Sequence, residues 1–146
     1  MAAQPRPPEL RELRAVIPVA QTQTRGDWSI TCLALERYED GFKITFRVFR
    51  PGLWPCDPML ALTVDDDRGG AYRPWIGGGH GAPNRVDCDW HVAHNCAPAL
   101  DPQAREVRVT IPEVQLTEFD ETQHRRRVTQ RYPGPWVFMI ALPQPA

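Results

Sequence analysis

Trp28-Ser-Ile-Thr-Cys-Leu-Ala34 and Phe42-Lys-Ile-Thr-Phe-Arg-Val48, joined across Tyr38-Glu-Asp-Gly41, decide the fold. In the first, Trp28, Ile30, Cys32 and Ala34 fall on one face; in the second, Phe42, Ile44, Phe46 and Val48 do the same. Alternation of this kind belongs to a half-buried strand, because successive side chains leave a strand on opposite faces. Asp40-Gly41 between the runs accepts the positive φ angles of a tight turn, so the pair reads as a β-hairpin.

Outward from this hairpin the same rhythm continues. Upstream, Leu13, Ala15, Ile17 and Val19 alternate around Pro18, which cannot donate to a ladder and so places the strand at a sheet edge or a bulge, with the edge preferred. Downstream, Leu60, Leu62 and Val64 alternate up to the turn Asp65-Asp-Asp-Arg-Gly-Gly70, followed by Ala71 to Ile76, a flexible connection from Gly77 to Asn84, and a candidate strand from Arg85 to Asn95. Val107, Val109 and Ile111 make another strand, and Trp136, Phe138, Ile140 and Leu142 make the last, after a polar stretch from Glu118 to Arg127. About eight short strands separated by Gly, Pro and Asp signals predict an all-β, immunoglobulin-like, two-sheet antiparallel sandwich. Residues 1–11 form a Pro-rich lead expected to be disordered, and residues 12–143 the single domain.

Several phrases resemble a group of bacterial immunoglobulin-like β-sandwich domains of unknown function, found alone or as extracytoplasmic or accessory modules. They are Val16-Ile-Pro-Val-Ala-Gln-Thr-Gln23, Leu35-Glu-Arg-Tyr-Glu-Asp-Gly-Phe42, Leu62-Thr-Val-Asp-Asp-Asp67 with Gly70-Ala-Tyr72, Pro98-Ala-Leu-Asp-Pro-Gln-Ala-Arg105 and Gly134-Pro-Trp-Val-Phe138. The resemblance implies a fold and carries no catalytic residues with it.

Composition narrows the function classes. With 146 residues, 42% apolar and 24% charged, the chain suits one globular core, and a formal net charge of -1 gives no field to steer nucleic acid or an anionic membrane. No run approaches the ~20 apolar residues of a membrane helix, and Met1-Ala-Ala-Gln-Pro-Arg-Pro-Pro8 has no apolar stretch of the secretory kind, so the expected location is cytoplasmic. Ser29, the only serine, lies inside a strand, which leaves no nucleophile for a serine hydrolase.

The one group with metal-ligand character is Cys88, His91, His94 and Cys96. Thiolates and imidazoles suit zinc, but on an extended strand Cys88 and His94 lie on one face on the order of 20 Å apart while His91 faces the other way. A sharp bend would be needed, and the same bend would allow a Cys88–Cys96 disulfide; reduced thiols are preferred to either, with Cys32 an ordinary buried residue. Gly77-Gly-Gly-His-Gly81 lacks the helix and Lys of a phosphate loop, and Asp65-Asp-Asp67 lacks the spaced ligands of a calcium loop. His124-Arg-Arg-Arg127 with Arg131 reads as a solvated hairpin face, and Trp54, Trp75 and Trp90 as loop anchors or an exposed aromatic pocket. The expected function is a non-enzymatic interaction or accessory module, without a cofactor, that meets a protein partner or a second copy of itself through strand edges. The alternative is a zinc-binding or thiol redox-sensing domain built on Cys88, His91, His94 and Cys96.

Overall fold

The computed structural model describes residues 6–82 and 84–144. Nine antiparallel strands carry the chain: β1 (Leu13–Arg25), β2 (Trp28–Tyr38), β3 (Phe42–Arg50), β4 (Pro58–Leu60), β5 (Thr63–Asp66), β6 (Ala71–Gly81), β7 (Cys88–Ala97), β8 (Glu106–Asp120) and β9 (Arg125–Ala141). They join in one path, β1-β2-β3-β7-β6-β5-β8, with β4 and β5 in tandem along one side of β8 and β9 along the other. The all-β antiparallel expectation holds. The two expected sheets are instead one continuous sheet, because β6 pairs with β5 at Ala71 and Tyr72 and then with β7 from Arg73 onward.

The sheet curls into a half-barrel whose two ends meet. Across the seam, the side-chain amide of Gln21 donates to the Met139 carbonyl at 2.9 Å. That of Gln23 brackets Val137, accepting from its N–H at 2.9 Å and donating to its carbonyl. A primary amide carries the same donor and acceptor as a peptide group, so these glutamines stand in for ladder bonds that the two backbones are too far apart to make.

Inside the curl, alternation does what the sequence predicts. Phe42, Phe46, Trp136 and Phe138 are fully buried, and Phe46 meets Phe138 across the interior at a ring-centroid distance of 6.1 Å. Burial on this scale, roughly 1.5–3 kcal/mol for each large apolar side chain, is the main term holding the curl closed. Two bulges shift the expected phase. One at Leu33 turns Ala34 off the inner face and puts Leu35 there instead. Another after Pro18 accompanies an edge strand in which Ile17 alone is fully covered, leaving Leu13 and Ala15 exposed.

Three further expectations are corrected. Leu60 to Val64 is two strands, with Ala61 and Leu62 between them. Gly77 to Gly81 belongs to β6, because bare glycine backbone lets β7 lie close: a Cβ at Gly77 would meet the Asn95 side chain at 2.7 Å, and one at Gly81 the Trp90 indole at 3.2 Å. The polar stretch after Glu118 is the end of a long β8–β9 hairpin turning at Glu121–His124. At the β2–β3 turn neither Asp40 nor Gly41 takes a positive φ. Gly41 is required there by closeness, since a Cβ would lie 2.4 Å from the Cys96 carbonyl. Asp40 has a different task, accepting the backbone N–H groups of Glu9, Leu10 and Arg11 at 2.8, 3.2 and 2.8 Å. Within the 1–11 lead, residues 9–11 are therefore tied to the domain, while residues 1–5 lie outside the described residues.

Candidate functional site: an open ladder between β4 and β6

The β5–β6 hairpin sets Val64 opposite Tyr72 and Asp65 opposite Ala71. Continued without a break, that register would place Leu60 opposite Ile76 and Pro58 opposite Gly78. The chain does not continue it: β4 pairs with β8 alone, and among the described residues β6 beyond Tyr72 pairs with β7 alone. The hairpin is splayed, and a cleft of about 280 Å³ occupies the gap. Asp57, Pro58, Met59 and Leu60 form one bank, Ile76, Gly78 and Gly79 the other, and Trp90, Val92 and His94 of β7 the floor.

The β4 bank is held by contacts of its own. A Cys56–Cys88 disulfide, with Cα atoms 5.7 Å apart, ties the approach to β4 to the start of β7. Trp90 adds a hydrogen bond from its indole N–H to the Cys56 carbonyl at 3.1 Å. Asp57 forms an ion pair with Arg126 of β9, whose guanidinium also reaches the Thr117 hydroxyl at 3.3 Å. On the opposite bank Ile76 is 61% exposed, a large aliphatic side chain beside bare glycine backbone.

His94 is the polar group of the floor. It is 4% exposed, with its ring 5.9 Å from that of Phe46, and neither ring nitrogen has a hydrogen-bond partner among the described residues. Burial pulls its pKa down to about 4, with the backbone of Leu60 opposing the shift slightly. The imidazole is neutral near pH 7 and carries one donor and one acceptor, for which the Leu60 backbone is a polar contact too poorly formed to count as a full hydrogen bond.

The four residues expected to hold a metal are not brought together. Cys88, His94 and Cys96 face the interior along one extended strand, whereas His91 projects from the opposite face beside His80, their ring centroids 5.5 Å apart. The sulfur of Cys88 is bonded to Cys56, which replaces the expected reduced thiol and also rules out the alternative Cys88–Cys96 bridge. No bend occurs in β7 that could return residue 96 to residue 88, because the strand pairs without interruption with β3 from Cys88 to Cys96. Cys32 and Cys96 are free and buried, and burial pushes both thiols up to about 12. Among the described residues no three His, Cys, Asp or Glu side chains converge as metal ligands.

The other sequence candidates are mostly consumed by the fold. Asp66 accepts the Tyr72 hydroxyl at 2.5 Å and the N–H groups of Arg68 and Gly70 at 2.8 Å, while Asp65 pairs with Arg108 and Asp67 accepts the Arg105 N–H. In the basic stretch Arg126, Arg127 and Arg131 pair with Asp57, Glu118 and Glu113. Trp54 is exposed and Trp75 stacks with Arg73, so of the three tryptophans Trp90 alone lines the cleft. What sequence reasoning missed is Cys56 as the partner of Cys88, and the cleft itself. The even number of cysteines permitted that pairing without selecting it.

No family model matches the sequence, and no curated protein matches it. Among solved structures, a conserved domain protein from Bacillus anthracis is similar, with a TM-score of 0.58 and 15% identity over 90% of this chain and 49% of that one. The chain spans about half the length of that structure, and at this identity the likeness is one of fold alone. No helix among the described residues is long and apolar enough to cross a membrane.

Proposed function

We propose that this domain is a non-enzymatic binding module that takes an extended segment of a partner protein along the free edge of β6, seating one apolar side chain in the cleft above His94. The observation that carries the reading is the open ladder: from Ile76 to Gly81 one side of β6 has no strand neighbour among the described residues, and bare glycine backbone there admits another main chain. Strand addition of this kind draws affinity from backbone hydrogen bonds and selectivity from pockets for alternate side chains. Ile76, Met59 and Trp90 supply the apolar pocket, and the donor and acceptor of His94 favour an anchor that also carries a hydroxyl.

The edges of β1 and β9 are weaker candidates for the expected pairing between copies, since Gln21 and Gln23 already join them to each other. The Cys56–Cys88 bond supports work in an oxidising compartment, against the cytoplasmic expectation. To test the reading, peptides selected from a random displayed library are titrated against the protein and its I76K variant, with amide exchange followed at residues 76–81. Binding should protect those amides and be lost in I76K, whose exposed position leaves stability unchanged. Selected peptides that bind I76K equally well, or protect amides elsewhere, would overturn the proposal.

A further inference from the structure

A second cavity, of about 580 Å³, opens where β1 turns into β2, between Thr24–Trp28, Arg50 at the end of β3, and Tyr132, Pro133 and Trp136 of β9. It shares no residue with the cleft at β6. Two arginines serve it. The Arg50 guanidinium lies 5.5 Å from the Trp28 ring centroid and 5.0 Å from that of Tyr132. Its one carboxylate partner, Asp27, stands 3.7 Å away and is itself 72% exposed. Arg25 has no ion pair among the described residues. Trp28 and Trp136 are both almost wholly buried, and the indole N–H of each lacks an acceptor among the described residues.

The chemistry of this lining is lopsided. Two arginines stand against Asp27, the single carboxylate of the lining, and the two indole N–H groups buried in its walls have no acceptor among the described residues, whereas buried donors in folded proteins are nearly always matched. Tyr132 and Pro133 supply the open apolar wall, with the buried Trp28 and Trp136 behind it. We infer that this cavity binds a small carboxylate with a flat ring, its carboxylate on Arg25 and Arg50 and its ring against Tyr132 and Pro133. Arginine suits the role because its planar fork meets both carboxylate oxygens at once.

Benzoate is the probe, added to the full chain while the tryptophan indole N–H resonances are followed by NMR, with benzamide as the neutral isostere. Benzoate should shift the Trp28 and Trp136 resonances saturably, and benzamide should bind at least about tenfold more weakly for want of the charge-assisted pair. R25Q, at an exposed turn, should weaken benzoate by about five- to tenfold, and D27N should tighten it by removing the competing carboxylate. I76K should leave it unchanged, which separates this site from the one at β6. Equal binding of benzamide, a benzoate affinity unaltered in R25Q, or shifts confined to Trp90 would overturn the inference.

Discussion

Lowering the pH should unfold this protein by way of His94. In the folded chain burial holds its pKa at about 4, against an ordinary value of 6.5. Between those limits the unfolded chain takes up a proton that the native chain refuses. The associated stability is complete above about pH 6.5, falls as the pH drops, and is exhausted near pH 4. A difference of some two and a half pH units, at about 1.36 kcal/mol each, amounts to about 3 kcal/mol, a large share of the ~5–15 kcal/mol that holds a typical domain together. The measurement is urea unfolding of the wild type and H94L at intervals from pH 7.5 to pH 4. Leucine fills the same apolar site, removes two unpaired polar atoms and does not titrate, so H94L should equal or exceed the wild type at pH 7. Its advantage should grow by about 3 kcal/mol on acidification. Ionisable groups whose surroundings H94L leaves unchanged contribute equally to both proteins and cancel in the comparison. A wild-type minus H94L difference that stays constant across this range would refute the assignment of His94 as buried, neutral and unpaired.

Reducing Cys56–Cys88, which are separated by 32 positions, should cost about 3–4 kcal/mol by the loop-entropy estimate, read as a lower urea midpoint in reductant; an unchanged midpoint would show the bond adds nothing. Replacing Asp66 by Asn keeps an oxygen for the N–H groups of Arg68 and Gly70 but removes the acceptor of the Tyr72 hydroxyl and the charge that strengthens all three bonds, with an expected loss of about 1.5–3 kcal/mol in thermal or chemical unfolding. Those hydrogen bonds, outweighing burial, hold the Asp66 carboxyl below its usual range. Its contribution is therefore present at neutral pH and disappears as the pH falls through the lowered folded value, so D66N should match the wild type in strong acid. Q23A removes both bonds to Val137 and should cost about 1–2 kcal/mol while speeding exchange of the Val137 amide; exchange as slow as in the wild type would mean the seam is held by something else.

Elements whose inner face is apolar were legible in the sequence: the β2–β3 hairpin and the core phenylalanines follow from alternation, and the edge placement of the first strand from the donor that Pro18 lacks. Alternation cannot register its own interruptions. The bulge at Leu33, which exchanges Ala34 for Leu35 on the inner face, depends on the pairing with β3 and leaves no local mark. The outer parts of β8 and β9 went unread because Glu118–Asp120 and Arg125–Arg131 run through solvent, where a strand has no apolar face to announce it. The glycine run of β6 reads as a loop until Trp90 and Asn95 are laid against it. Strand geometry was enough to separate His91 from Cys88, His94 and Cys96, since period 2 settles which side each faces. The cleft is a different matter, for it is a place where pairing stops, and no residue encodes the absence of a neighbour.

The glutamine seam changes how the cylinder can move. Main-chain ladders fix adjacent strands at one spacing, whereas a side-chain amide on two methylenes can pivot and extend while keeping its bonds. Apart from the unpaired stretch between β4 and β6, the circumference is thus least rigid along one line, between Gln21 or Gln23 and the carbonyls of Met139 and Val137. Breathing of the wall should concentrate along that line, and other strands can hold their register while the diameter changes.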